Sequence, residues 1–127
     1  MIHIDTSFLI RALQRRTGED GLLRRWLRER TELGISTICW SEFLCGPLSA
    51  RDLDAAGRLF PDPEPFLADD AVAAAGLFNA YGRRRASLVD CMVAATALRA
   101  GAALATSNPG DFKRFGPAGL SLVSNAG

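Results

Sequence analysis

Residues 87–106 read Ser-Leu-Val-Asp-Cys-Met-Val-Ala-Ala-Thr-Ala-Leu-Arg-Ala-Gly-Ala-Ala-Leu-Ala-Thr, and this stretch decides the fold class. Ser87 followed three residues later by Asp90 is a helix-start signature, because an N-cap hydroxyl accepts a hydrogen bond from the amide three residues on. Leu88, Val89, Cys91, Met92, Val93, Ala94 and Ala95 make the body apolar on nearly every side, so the predicted helix over residues 87–100 is a buried one. Gly101 supplies a stop, and residues 102–106 read as a short strand. A buried helix feeding directly into a short apolar strand is the unit of an α/β layer, since parallel strands need crossover connections.

The flanking sequence repeats that alternation. Residues 1–5 predict an apolar strand that ends on Asp5, followed by a helix in which Phe8, Leu9 and Leu13 recur at helical spacing. Gly18 to Asp20 predict a turn, and Leu22, Leu23, Trp26 and Leu27 face away from Arg24, Arg25 and Arg28 in an amphipathic helix. Residues 33–38, β-branched at Ile35, Thr37 and Ile38, predict a strand. Residues 40–44 predict a helix stopped by Gly46 and Pro47, with Glu42 in its first turn. A helix over residues 50–59, a rigid connection over 61–65 and an extended piece over 65–67 lead to an alanine-rich helix opened by Asp69 and Asp70 and closed near Tyr81 and Gly82. After Thr106, Asn108, Pro109 and Gly110 predict a turn before Asp111 and Phe112, and residues 120–123 a last strand. The expectation is one α/β domain spanning residues 1–127, with a mostly parallel central sheet flanked by helices.

Composition narrows the function classes. A chain of 127 residues that is 48% hydrophobic and 23% charged has the make-up of an ordinary soluble globular protein. Its most apolar run, residues 86–105, contains Asp90 and Arg99, which argues against a membrane span. No basic segment precedes an apolar stretch at the start and Asp5 interrupts it, so a cytoplasmic location is expected. Cys39, Cys45 and Cys91 lack the close paired spacing of zinc ligands and read as small core residues. The net charge of +1 neither advertises nor excludes a polyanionic partner. Arginine supplies nearly all the positive charge, and the triplet Arg83, Arg84, Arg85 is a candidate for contacting the phosphates of a polyanion, with a solvated helix face as the alternative. His3 is the only histidine, which disfavours two-histidine ribonuclease chemistry and makes it a structural residue of the first strand. Trp26 and Trp40 read as core or interface residues. No Gly-rich loop ending in Lys-Ser/Thr supports a nucleoside triphosphatase.

The acids carry the chemistry. Ligands of open α/β sheets sit beyond the carboxyl ends of the strands, and Asp5, Glu42, Asp90, Asn108 and Asp111 all fall where strands end or helices begin. Each has an ordinary alternative: Asp5 a helix cap, Glu42 a dipole partner, Asp90 half of a capping box, Asp111 a turn residue. In combination they say more. An ionised carboxylate entering a buried helix needs a cation, capping amides or a proton. If Asp5, Glu42 and Asp90 converge, a divalent cation is the simplest compensation, and an oxygen-only donor set favours magnesium or manganese over zinc. Such ions promote attack of water on a phosphodiester.

These residues resemble the PIN-domain family, and in particular the VapC-type toxins of toxin–antitoxin pairs. The resemblance rests on Ile4-Asp5-Thr6-Ser7-Phe8-Leu9, on Ser41-Glu42, on residues 88–97 with Gly101, on Leu104-Ala105-Thr106-Ser107-Asn108 and on Asp111-Phe112. It implies a three-layer sandwich around a parallel sheet of four or five strands, and magnesium- or manganese-dependent endoribonuclease activity. Asp5, Glu42 and Asp90 match the metal-binding acids, with Thr6 and Ser7 supporting Asp5 by hydrogen bonds and Thr106 shaping the pocket floor. Many relatives have an aspartate where this chain has Asn108, with the next carboxylate only at Asp111. Of the one or two ions implied, a single one at rest is therefore expected. The resemblance also implies a homodimer and inhibition by a small antitoxin that covers the acidic pocket, an arginine of which competes with the metal. Two other classes stand beside this reading. One is a phosphoacceptor or phosphatase domain, which Ser7 disfavours because the Asp-x-Asp arrangement is missing; the other is a catalytically silent interaction module on the PIN scaffold.

Overall fold

The structure is a computed structural model that describes residues 1–82 and 87–123; the Arg83, Arg84, Arg85 triplet lies outside the described residues. Strands β1 (Ile2–Ile4), β2 (Leu33–Gly34), β3 (Ala103–Ala105) and β4 (Leu122–Val123) form one sheet in the order β2-β1-β3-β4. Each neighbouring pair is parallel, with Ile2 opposite both Leu33 and Ala103 and Ile4 opposite Ala105. Helices α1 (Thr6–Ala12), α2 (Gly18–Arg28), α3 (Thr37–Cys45), α4 (Ala50–Leu59), α5 (Ala68–Leu77) and α6 (Leu88–Arg99) supply the crossovers and flanking layers. Among them α5 packs along α6, and α1 packs on α2 and α3. The expected α/β sandwich with a mostly parallel sheet is the observed architecture.

Side-chain caps start most of these helices. Thr17, Ser36, Ser49 and Ser87 each accept a hydrogen bond from the amide three residues ahead, satisfying a donor that the helix leaves unpaired. The cap at Ser36 corrects one expectation. Thr37 and Ile38 open α3 instead of extending the second strand, because Ser36 Oγ accepts from the Cys39 amide at 3.1 Å. Glu42 consequently sits in the second turn of α3, away from the positive end of the helix dipole.

The core gathers Ile4, Phe8, Leu9, Trp26, Ile35, Phe43, Leu104 and Phe115, with the Trp26 ring stacked on Phe8 at 5.4 Å between centroids. Cys39 and Cys91 are buried, whereas Cys45 is exposed, contrary to the expectation of three core cysteines. Nor is α6 buried throughout: burial takes hold from Cys91 onward, while Leu88 and Val89 face solvent. His3 is buried, and burial pushes its pKa below the ordinary value. Its ring lies so close over β2 that a Cβ on Gly34 would stand 2.9 Å from Cδ2. No helix among the described residues is long and apolar enough to cross a membrane.

One ionic junction ties the middle segment to α6. Arg99 donates from Nε to Asp70 Oδ1 at 2.7 Å, from Nη1 to Glu64 Oε1 at 2.9 Å and from Nη2 to the Pro65 carbonyl at 2.9 Å. Asp70 is fully buried. Burial alone would raise its carboxyl pKa, but the Arg99 guanidinium and the Leu67 amide outweigh that and hold it below the usual 3.8. A depressed carboxylate stabilises the fold above its unfolded pKa and loses that contribution as pH falls through the folded value. Arg99→Ala is therefore expected to destabilise the protein at pH 7, because it leaves the buried Asp70 carboxylate without its guanidinium. In urea titrations the gap from wild type narrows below pH 4, roughly the unfolded carboxyl pKa, as Asp70 takes up a proton.

Candidate active site

The sheet order reverses at β1, with β2 on one side and β3 on the other, and a crevice opens beyond the carboxyl ends of β1 and β3. The Asp5 amide donates to the Ala105 carbonyl at 3.0 Å, which continues the β1–β3 pairing to the crevice floor. Asp5 is also the N-cap of α1: its Oδ1 accepts from the Phe8 amide at 2.9 Å and from Ser7 Oγ at 2.8 Å. Ser7 Oγ in turn accepts the Ser107 amide at 3.1 Å and lies 3.5 Å from Thr106 Oγ1. Thr106 Oγ1 accepts the Asn108 amide at 3.0 Å. Two segments nearly a hundred residues apart in sequence are thus stitched together around one carboxylate.

From α3, Glu42 reaches the same crevice. Thr6 Oγ1 is shared between Glu42 Oε1, at 3.2 Å, and the Cys39 carbonyl, at 3.1 Å. Thr6 therefore steadies Glu42, whereas the expectation placed its hydroxyl on Asp5. Asp90 enters from the first turn of α6, where Ser87 Oγ accepts its amide at 3.2 Å. Asp111 ends a short 3-10 turn, Pro109–Asp111, that follows β3. A cavity of about 280 Å³ brings Asp5, Thr6, Ser7, Glu42, Asp90, Asn108 and Asp111 together with Ile10, Cys39, Val93 and Phe112. Thr106 is fully buried and does not line it.

The electrostatics are those of a pocket crowded with like charges. Burial raises the Asp5 carboxyl pKa, against hydrogen bonds from Thr106, the Phe8 amide and Ser7, and the charge of Asp111 raises it further. Glu42 is raised by burial and by Asp90 and Asp5, with the Thr6 hydroxyl opposing. For Asp90 burial and Asp111 raise the value while Arg114 lowers it. Asp5, Glu42 and Asp90 each feel the charge of a neighbouring acid in this cavity, and a cation placed among them would relieve these penalties. The donors are all oxygen, which suits a hard divalent ion. Their spacing is wider than direct ligation by three of them requires: among the described residues no three His, Cys, Asp or Glu stand close enough to hold a metal as they are.

Sequence reading missed two groups at this site. Arg114, in the 3-10 segment Lys113–Ala118, acts electrostatically on Asp90 and lies 5.7 Å from the centroid of the Phe115 ring. Ser107 joins the crevice loop to α2 through Glu19. Neither carries a periodic or capping signal that marks it out.

The PIN domain family model matches residues 2–116. Among solved structures, the chain is similar to a toxin–antitoxin complex from Klebsiella pneumoniae, at 25% identity over 98% of each chain with a TM-score of 0.72. It is similar to VapBC2 from Rickettsia felis bound to a promoter DNA fragment, at 19% identity, 98% of each chain and a TM-score of 0.77. It is also similar to VapC20 of Mycobacterium tuberculosis, a toxin that cleaves the sarcin-ricin loop, at 20% identity, 94% of this chain, 96% of that one and a TM-score of 0.64. The likenesses at 19% and 20% establish the fold. No curated protein matches the chain.

A carboxyl whose pKa is raised by folding opposes the native state once it ionises, and the penalty is complete above the folded pKa. Asn retains the capping oxygen but not the charge. Asp5→Asn is therefore expected to raise the melting temperature of metal-free protein at pH 7. In calorimetric scans the advantage disappears below the ordinary 3.8, where wild type is protonated in both states.

Proposed function

The chain belongs to the PIN domain family, and on that premise we propose that it is a metal-dependent endoribonuclease acting as the toxin of a type II toxin–antitoxin pair. The single observation that carries this reading is the convergence of Asp5, Glu42, Asp90 and Asp111 on one cavity at the switch point of the sheet. Asp5, Glu42 and Asp90 are the proposed ligands of magnesium or manganese. Asp111 is proposed as the fourth carboxylate because it acts electrostatically on both Asp5 and Asp90. Asn108 contributes a neutral carbonyl or amide that orients water or RNA. When bound, the ion supplies positive charge to the scissile phosphate and lowers the pKa of an attacking water.

The protein's own groups then hold the geometry. Ser7 and the Phe8 amide hold one oxygen of Asp5 and with it the orientation of the carboxylate that lines the cavity. Thr6 sets the rotamer of Glu42 by bridging it to the α3 backbone. Arg114 stands on the Asp90 side and is proposed to contact an RNA phosphate. The Arg83, Arg84, Arg85 triplet remains a proposed contact from its sequence alone.

For the antitoxin, an apolar depression of about 280 Å³ adjoins the acids, lined by Ile10, Leu13, Gln14, Phe43, Gly46, Pro47, Leu48 and Asp52. Ile10 is exposed and belongs to both cavities. A helix with an apolar face and a following arginine would fill the depression and place its guanidinium among the carboxylates, in competition with the ion.

The wide spacing of the carboxylates favours a second reading, the catalytically silent module. Purified protein with manganese and a mixed RNA substrate separates the two. Under the nuclease reading, chelator abolishes cleavage, and Asp5→Asn or Asp90→Asn lowers it at least about 100-fold, the upper range for disturbing residues behind a metal ligand. Asp111→Asn is expected to lose far more activity than Asn108→Ala. Calorimetry that detects no manganese binding, together with intact RNA, establishes the silent module instead.

A further inference from the structure

Glu19 is a buried carboxylate outside the acidic cavity, and nothing in the proposed chemistry uses it. Only 3% of the residue is exposed. Its Oε2 accepts from Arg11 Nε at 2.8 Å and from Ser107 Oγ at 2.7 Å. Its Oε1 is also buried and has no hydrogen-bond partner among the described residues. Acids are common in the first turn of a helix, where the dipole favours them without requiring that they be buried. A carboxylate buried with one oxygen unsatisfied is costly, so stabilising α2 does not account for this placement. Arg11, half exposed, accounts for it only in part.

The Ser107 contact leads to the cavity. Ser107 donates its hydroxyl hydrogen to Glu19 and its amide hydrogen to Ser7 Oγ, at 3.1 Å, and Ser7 donates to Asp5 Oδ1 at 2.8 Å. A continuous chain of hydrogen bonds therefore runs from Glu19 through Ser107 and Ser7 to Asp5. It passes through the residue between Thr106 and Asn108, so it also sets where the segment toward Asp111 leaves β3. We infer that Glu19 is a positioning residue for the nuclease site: by gripping Ser107 from α2 it fixes the turn after β3 and, through Ser7, the orientation of the Asp5 carboxylate. This rests on the proposed nuclease reading, and it adds to that reading a residue that touches neither metal nor RNA.

Outer partners of metal ligands typically change metal affinity or activity about 10- to 100-fold when removed. Glu19→Ala and Ser107→Ala are each expected to lower kcat for manganese-supported RNA cleavage by about that factor, with KM for RNA held within about twofold, since no phosphate contact is touched. Combining them should cost no more than either alone, because both break the same chain. Ser107→Thr, which keeps the hydroxyl, should retain activity. A readout independent of metal and catalysis is amide hydrogen exchange by NMR on metal-free protein. The Ser107 amide should lose protection in Glu19→Ala while the amides of α6 keep theirs.

A folded Glu19→Ala protein with unchanged kcat overturns the inference, as does an unchanged Ser107 exchange rate. If Glu19→Ala does not fold, Ser107→Ala decides: full activity there makes Glu19 a purely structural acid. Wild-type protein that neither binds manganese nor cleaves RNA overturns the nuclease reading and this inference with it, an outcome distinct from variants that match an active wild type.

Discussion

The parallel pairing of β1 with β3 is the constraint on which the rest of the molecule depends. These two strands of three residues lie side by side although about a hundred residues separate them in the chain. Their register puts Asp5 and Thr106 just past the same edge of the sheet. Because β2 lies on the other flank of β1, the connections diverge there and leave a crevice that no crossover helix fills. Every group at the candidate active site is positioned by that divergence: α1 begins on Asp5, the turn after β3 brings Asn108 and Asp111, and α3 and α6 bring Glu42 and Asp90. A one-residue slip in so short a pairing would move the inward-facing residues to the opposite face and separate the Ser7 and Ser107 hydrogen bonds.

Buried carboxylates are treated in two contrasting ways. Asp70 receives a guanidinium and a backbone amide, and Glu19 chiefly the Ser107 hydroxyl and then the Arg11 guanidinium, so both have depressed pKa values despite burial. Asp5, Glu42 and Asp90 share one cavity with Asp111 and have pKa values raised by burial and by neighbouring acids: Asp5 by Asp111, Glu42 by Asp90 and Asp5, and Asp90 by Asp111 and Asp5. The first arrangement secures packing between elements. The second concentrates only partly compensated negative charge where solvent and ligands can enter, a pattern of perturbed groups characteristic of functional sites. Stability alone gives no reason to gather four acids around one cavity.

Hydroxyls do much of the local ordering. Thr17, Ser36, Ser49 and Ser87 start helices, while Ser7, Thr6, Thr106 and Ser107 orient carboxylates or turn amides around the crevice. A hydroxyl can donate and accept at once, which lets Ser7 hold Asp5 on one side and Ser107 on the other. An alanine at those positions would remove the hydrogen bonds that hold the turn amides and carboxylates in place.

Much of this was legible in the chain because it is governed by near neighbours. The spacing in residues 87–100 marks α6, the Ser87-x-x-Asp90 signature its start and Gly101 its stop; the alternation of short apolar runs with helical ones marks a parallel α/β sheet, and a motif resemblance marks Asp5, Glu42 and Asp90. Caps and periodicity act over three or four residues, so they can be read without knowing what lies across the fold. The start of α3 is ambiguous in the sequence because β-branching at Thr37 and Ile38 favours a strand while Ser36 is a single helix cap, and the exposure of Cys45, Leu88 and Val89 depends on which faces meet neighbours. Long-range matters were settled only by tertiary structure: the strand order, the diversion of Thr6 to Glu42, the electrostatic reach of Asp111 and Arg114, and the link from Glu19 through Ser107. These depend on which distant segments are brought within a few ångströms, and hydrogen bonds and Coulomb forces act on that separation, whatever the distance along the chain.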